Sequence, residues 1–379
     1  MTLPLWIRSP VELTALVTAL DGVAAVAIDT EADSLHHYPG KLCLVQLADD
    51  RGGAHLIDPL AFRDLSALGP VCDDAGVVKV LHAADNDLAY LKRLYGFTVA
   101  SLFDTAIAAR FLGVTALSLD GLLRQYLGIE PGKSRQKDDW SRRPLSAEQE
   151  AYALNDVLHL IALRARLLEA LQVRGRARWV EEECAAVAAT EVHDRPVDPD
   201  AYLGLKGSKE LDRRGLAVLR ELYQARETLA LKLGRPPFMV LGNEGLVRLA
   251  ALGPRDANAI LGVPGCTPTV VRRFGEAILE AVARGQAVPD SDLPVRPRVP
   301  RPAVPVPVRR RAEGLRAWRV EASERLGLDP GTLLPQRLID RLAAEPPADL
   351  DALARTDGVR RWRAELFGDD LLEVLGATR

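Results

Sequence analysis

A few acidic residues and one tyrosine stand where they could do chemistry. Val23 to Ile28 is an apolar run of strand length, and Asp29 and Glu31 end it. Such runs mark strands buried on both faces. Residues two apart on a strand point to one side, so two carboxylates are set side by side at a buried strand end. Left alone they repel. A hard divalent cation such as Mg²⁺ takes oxygen ligands and would relieve that repulsion; an acidic strand end turned to water is the other reading. A second apolar run, Val77 to Leu81, leads into His82-Ala-Ala-Asp85-Asn-Asp87. Either aspartate there can cap a helix or face a metal. Later, Ser146 and Gln149 have capping-box spacing and open a helix predicted to run to about Leu171. On it Tyr152 and Asp156 are four apart and share a face, as a solvated surface pair or as a phenol aimed where a carboxylate points.

The elements that must hold these residues alternate in a readable way. Residues 11–20 read as a short helix, and the strand ending at Asp29 follows. Tyr38-Pro-Gly-Lys41 is a turn, and Leu42 to Ala48 and Ala54 to Ile57 are further strands. Short links predict an antiparallel meander. Helix and strand then alternate: helix over 61–75, strand over 77–81, helix over 87–95, and a short strand at Leu102-Phe103 leading to Asp104, read as a helix cap. His82 reads as a packed strand-end histidine. This alternation predicts a mixed α/β sheet with helices on it.

Taken together the motifs resemble the four-carboxylate 3′→5′ exonuclease superfamily, and within it the ribonuclease D family. The likeness is carried by IDTEADSLHHYPGKLCLVQLA, VLHAADNDLAYLKRLYG, LFDTAIAARFLG and DDWSRRPLSAEQEAYALNDVLHL. It implies a ribonuclease H-like exonuclease domain with metal ligands at Asp29, Glu31, Asp87 and Asp156. The family's second aspartate lies five residues after the histidine, which selects Asp87 over Asp85. Tyr152 would position or activate the attacking water and puts the chain in the tyrosine branch; His159 does not fit that role. The implied cofactors are two divalent metal ions, Mg²⁺ or Mn²⁺, clamping the attacking and leaving oxygens of a phosphodiester. At an unperturbed pKa of about 10, a tyrosine orients water better than it deprotonates it.

Before the late helix lies Lys133-Ser-Arg135-Gln-Lys137-Asp-Asp-Trp140-Ser-Arg142-Arg143. Five cations around one tryptophan suit the backbone of a flexible single strand, so Lys133, Arg135, Lys137, Arg142 and Arg143 are candidate RNA contacts. Trp140 reads as a residue packed on the helix.

From about Glu181 the pattern is helical throughout. LYQARETLALKLGRPPFMVLGNEGLVRLA and LGVPGCTPTVVRRFGEAILEAV resemble the helicase-and-RNase-D C-terminal (HRDC) module. The turn Gly262-Val-Pro-Gly265 joins two helices or offers N–H groups to phosphate. Residues 293–311 hold six prolines, six arginines and no acid, the make-up of an extended basic spacer. A second, more divergent copy of the module follows. The expected layout is an exonuclease domain over 1–175, a connector over 176–207, an HRDC-like domain over 208–290, a linker over 291–311 and a second all-α HRDC-like domain over 312–379. Removing everything after about residue 292 is then expected to spare cleavage of short single strands and to weaken binding of larger structured RNA.

The chain has 379 residues, is 48% hydrophobic and 27% charged, and carries a formal net charge of −3. No global basicity announces nucleic acid, so contacts must be local. Cys43, Cys72, Cys184 and Cys266 are far apart with no Cys-x-x-Cys pair, which argues against a zinc ribbon or a disulfide framework and fits a reducing cytoplasm. No apolar run approaches membrane-spanning length. The expected partner is RNA with a free 3′ end, tRNA precursors above all, met by a monomer. A DNA exonuclease in repair and a binding module with a dead site are the competing readings; the complete carboxylate set counts against the last.

Overall fold

The computed structural model describes residues 5–193, 198–297 and 304–377. The chain forms two compact units, one from residues 1–31, 42–193 and 301–379, the other from 32–41 and 194–300.

The first unit is built on a six-stranded sheet. Its strands are β1 (Trp6–Ile7), β2 (Ala25–Ala32), β3 (Leu42–Asp49), β4 (Ala54–Ile57), β5 (Val78–Leu81) and β6 (Leu102–Asp104), in the order β1-β4-β3-β2-β5-β6. β3 and β4 are antiparallel, while β1 on β4, β5 on β2 and β6 on β5 are parallel. β1 is absent from the sequence-based expectation, because two residues are too few for a periodicity. β2 also runs further than the apolar stretch alone suggests. Asp29 and Glu31 therefore lie inside a central strand, held by its ladder.

The helices start and stop where the local chemistry allows. α1 (Pro10–Ala19) opens on a Ser9 cap and a first-turn proline. The helix predicted over 61–75 shrinks to a 3₁₀ turn, Ser66–Leu68, and α2 (Gly69–Asp73), since Asp64 accepts the Ser66 N–H and Gly69-Pro70 restarts the chain. α3 (Asp85–Tyr95) turns Asp87, Leu88 and Leu91 inward and ends at Gly96, φ 67°. α4 (Thr105–Phe111) is capped by Asp104, as expected. α5 (Leu119–Leu127) follows. The capping box of Ser146 and Gln149 opens α6 (Ala147–Leu158). The single late helix breaks at His159 into α6 and α7 (Leu160–Val173), so that α6 packs on β3 and β4 while α7 packs on α4 and α5. α8 (Ala177–Ala189), inside the stretch read as connector, buries Trp179, Val180 and Cys184 against β6 and α4.

The second unit contains α9 (Arg213–Leu233), α10 (Pro237–Val240), α11 (Asn243–Leu252), α12 (Ala257–Leu261) and α13 (Pro268–Ala287) around its own core of Leu219, Leu222, Leu246, Leu249, Ile260 and Ile278. The first unit ends in α14 (Val306–Leu326), α15 (Pro330–Leu333), α16 (Gln336–Ala344), α17 (Leu350–Arg355) and α18 (Arg361–Ala377). The two sets are one pattern repeated. Arg213 and Val306, Pro237 and Pro330, Asn243 and Gln336, Ala257 and Leu350, and Pro268 and Arg361 are all 93 residues apart. α14 starts within the stretch read as linker, because Pro305 and Pro307 fall in the first turn, where no intrahelical N–H is needed. Residues 298–303 of that stretch, and 194–197 of the connector, lie outside the described residues.

The last helix set is bound into the first unit's core. The Trp362 ring stacks on Trp179 with centroids 4.6 Å apart and meets the Phe111 edge at 5.5 Å. Arg363 reaches Glu183 at 2.6 Å, Arg360 reaches the same carboxylate at 3.2 Å, and Arg176 donates to the Leu326 carbonyl at 2.6 Å. Among the described residues no helix is long and apolar enough to cross a membrane.

Candidate active site

β2 presents Asp29 and Glu31 two residues apart, and α6 brings Asp156 to them across the sheet. One oxygen from each of these three carboxylates lies within 4.8 Å of the others. Asp87 stands beside this group. It is the third residue of α3 and is buried, whereas Asp85 is exposed. Strand alternation turns Thr30 away from Asp29 and Glu31, and its hydroxyl donates to Asp87 at 2.5 Å. Sequence reasoning missed Thr30. Its partner lies 57 residues away in sequence, so no local pattern marks it.

The electrostatics are those of a site built for positive charge. Burial holds the Asp29 carboxyl well above its usual range, and the charges of Asp87, Asp156 and Glu31 add to it. Asp29 thus feels all three other acids. Burial, then Asp156, Asp87 and Asp138, push Glu31 up to about 9. Burial raises Asp156 to about 7 against a hydrogen bond from Tyr152, and Asp87 to about 6 against the one from Thr30. Four such groups cannot all ionise in a buried site unless cations join them. The donor set is all oxygen, and carboxylates suit the hard cations Mg²⁺ and Mn²⁺. The residues fit the metal.

Tyr152 shares the α6 face with Asp156 and is its hydrogen-bond donor. Burial and the surrounding acids raise the phenol far above its ordinary value, so it keeps its proton. Trp140 is fully buried under it with Cys43, Leu44, Leu56 and Leu145, ring centroids 6.1 Å apart. The packing expected of Trp140 is the packing found.

A pocket of about 370 Å³ adjoins Tyr152 and Asp156, and Lys133, Arg135, Asn155 and His159 line it. Lys133, Lys137 and Arg142 are exposed, and Arg135 is half-buried with Asp138 at 3.4 Å. Arg143 differs from the other four. Its guanidinium grips both Asp58 oxygens at 2.8 Å and donates to the carbonyls of Cys43 at 2.7 Å and Trp140 at 2.8 Å. Its donors tie the basic loop to β3 and to the end of β4, and leave little for a ligand. His82 has its Nδ1 2.8 Å from the Thr105 hydroxyl, and burial lowers its pKa, as a packed neutral histidine requires.

A sheet carrying paired acids on its central strand, completed by a helix with Tyr152 and Asp156, defines a 3′→5′ exonuclease. Residues 4–172 match the 3′-5′ exonuclease family, and 215–282 and 309–375 each match the HRDC domain. Ribonuclease D of Gluconacetobacter diazotrophicus is 35% identical over 374 residues, 98% of this chain and 92% of the relative. Ribonuclease D of Pseudomonas paraeruginosa is 33% identical over 380 residues, 98% and 97% of the two chains. The crystal structure of Escherichia coli RNase D, described as an exoribonuclease involved in structured RNA processing, superposes with a TM-score of 0.68 at 26% identity, covering 100% of this chain and 99% of that one. The catalytic core of RRP6 from Trypanosoma brucei gives 0.66 at 28% identity over 75% of this chain and 80% of that one. The chain belongs to the ribonuclease D family. It is a hydrolytic 3′→5′ exoribonuclease of a metal-dependent exonuclease class.

Proposed function

We propose that the enzyme trims the 3′ ends of tRNA precursors and other small structured RNAs, releasing nucleoside 5′-monophosphates, with two Mg²⁺ or Mn²⁺ ions at Asp29, Glu31, Asp87 and Asp156. The observation that carries this reading is the convergence of Asp29, Glu31 and Asp156 within 4.8 Å, beside a protonated phenol. When bound, the ions acidify the attacking water and neutralise charge on the leaving oxygen. Asp29, on which the charges of all three other carboxylates bear, would hold a cation together with them. Tyr152 keeps its proton, so its part is to hold the attacking water in line, not to deprotonate it. Thr30 keeps Asp87 turned toward the site. Lys133 and Arg135 line the pocket next to Tyr152 and are the favoured contacts for the RNA backbone; exposed Lys137 and Arg142 extend that track. The bonding of Arg143 favours a structural role over RNA contact. The four cysteines are buried and outside any disulfide, which supports a reducing cytoplasm, and a monomer suffices because one chain carries the whole site.

The deciding experiment is digestion of a 3′-extended tRNA, a plain single-stranded RNA and a matched DNA, with Mg²⁺, Mn²⁺ or excess chelator. Expected are stepwise loss of 3′ nucleotides as 5′-monophosphates, preference for RNA, and no cleavage in chelator. Preference for DNA, or cleavage in chelator, would overturn the reading.

A further inference from the structure

Asp104 closes β6 and is 3% exposed. Its carboxylate serves two helices. Oδ1 accepts from the N–H groups of Ala106 at 2.8 Å and Ile107 at 3.2 Å, the ordinary work of an N-cap on α4. The same oxygen accepts from Ala83 N–H at 3.1 Å, and Oδ2 accepts from Ala84 N–H at 2.9 Å. Those donors lie at the start of α3. That helix has Ala84 in its N-cap position and hence no side-chain cap of its own. Asp104 supplies one from another strand. Ala83 has φ 55°, a left-handed conformation that a residue with a Cβ adopts only when its surroundings hold it there. Thr105 grips the same turn: its hydroxyl donates to the Leu81 carbonyl at 3.2 Å and stands 2.8 Å from His82 Nδ1. The segment 81–84 is therefore pinned at four successive residues by one corner, Asp104-Thr105. Three residues further on is Asp87.

We propose that Asp104 is a positioning residue of the metal site, which fixes the first turn of α3 so that Asp87 meets Thr30 and faces Asp29. This rests on the reading of Asp87 as a metal ligand. A plain helix cap would cost stability when lost and leave metal binding alone. A positioning residue would change metal affinity in protein that is still folded. Groups that orient metal ligands commonly cost 10–100-fold in affinity when removed.

The test measures Mn²⁺ binding by isothermal titration on full-length protein without RNA, alongside thermal melts and single-turnover cleavage. The variants are Asp104→Asn, Thr105→Val, Asp87→Asn and, as a cap lost far from the site, Ser9→Ala. Asp104→Asn places an amide donor against buried N–H groups. It should weaken Mn²⁺ binding about 10-fold or more. Cleavage lost at low metal should return in part at high metal. Ser9→Ala should lower the melting temperature and bind Mn²⁺ as the wild type does. If Asp104→Asn does not fold, Thr105→Val decides: a severalfold weaker Mn²⁺ affinity supports the proposal, and wild-type affinity overturns it. A folded Asp104→Asn with wild-type Mn²⁺ binding also overturns it and leaves Asp104 a cap. If Asp87→Asn itself binds metal and cuts normally, the ligand assignment fails instead, and the two failures are told apart.

Discussion

Metal-free enzyme should be destabilised by its own active site, and removing one carboxylate should stabilise it. Asp156 is the clearest case, because its folded pKa is raised from 3.8 to about 7. A carboxyl whose folded pKa lies above its unfolded one favours the fold fully below pH 4. That advantage is lost as pH rises through the folded value. The gap of about three units corresponds to about 4 kcal/mol at 1.36 kcal/mol per unit. Relaxation of a site that is partly open to water reduces this to about 2 kcal/mol in practice. Asp156→Asn keeps the shape and an acceptor for the Tyr152 hydroxyl but cannot ionise. At pH 8 in chelator it should be more stable than the wild type by about 2 kcal/mol, and at pH 4 the two should coincide. Mg²⁺ should reverse the order. A ligand at 100 times its dissociation constant stabilises by about 2.7 kcal/mol, and the wild type should gain this while the variant gains little. Urea melts at pH 4, 6 and 8, in chelator and in Mg²⁺, measure all of it. A metal-free Asp156→Asn less stable than the wild type at pH 8 would refute the reasoning, since burial would then not be penalising the Asp156 charge.

Tyr152→Phe should cut kcat by about 10²–10⁴-fold with unchanged RNA affinity, and cost no more than about 1–2 kcal/mol in melts, since one hydrogen bond to Asp156 is lost. Single-turnover cleavage at wild-type rate would reduce the phenol to packing. Lys133→Ala with Arg135→Ala should weaken binding of single-stranded RNA and shallow its salt slope by about 1.4, two phosphate contacts at about 0.7 each; an unchanged slope rejects both as contacts. Arg143→Ala should instead cost about 3–5 kcal/mol of stability, because it strands buried Asp58; a melt within 1 kcal/mol of the wild type would return Arg143 to the RNA-contact set. Cutting the chain after residue 292 should yield an unstable or aggregating nuclease, and Trp362→Ala in the full chain should cost about 3–5 kcal/mol; a truncated enzyme with wild-type melting and cleavage would show the last helix set to be dispensable.

The site was legible because its parts are local patterns. Asp29 and Glu31 follow a strand signal, and Tyr152 and Asp156 follow a capping box at helical spacing. Both survive without knowledge of long-range packing. The choice of Asp87 over Asp85 came from family spacing. The structure supplies its physical counterpart, a buried Asp87 bonded to Thr30 and an exposed Asp85. What stayed hidden depends on partners distant in sequence. Arg143 looks like four neighbouring cations until Asp58, 85 residues away, is seen to hold it. Asp104 reads correctly as the cap of α4, yet no pattern shows that it also caps α3 from 20 residues away. β1 needs its partner β4 to be a strand at all.

The repeat explains why truncation looked harmless to short-strand cleavage from sequence, whereas the structure puts the last helix set in the catalytic unit. The two helix sets keep the same internal frame. Arg226 of α9 donates to the Leu241 carbonyl at 3.3 Å, and Arg319 of α14, 93 residues on, donates to Leu334 at 3.1 Å. Gly265 and Gly358, again 93 apart, share φ 89° at equivalent turns. A chain read by module therefore sees two copies of one appendage. The difference lies in the first turn of the last helix. Where the first copy has Thr269 and Val270, the second has Trp362 and Arg363, the residues that stack on Trp179 and reach Glu183. Both partners sit on α8, Trp179 five residues before Cys184 and Glu183 next to it, and the Cys184 sulfur accepts the backbone N–H of Asp104 at 3.3 Å. Trp362 and Arg363, with Arg360 beside them on Glu183 and Arg176 on the Leu326 carbonyl, thus join the second copy to the element behind β6. Its packing supports the corner that holds α3, so this copy acts as part of the catalytic unit's core.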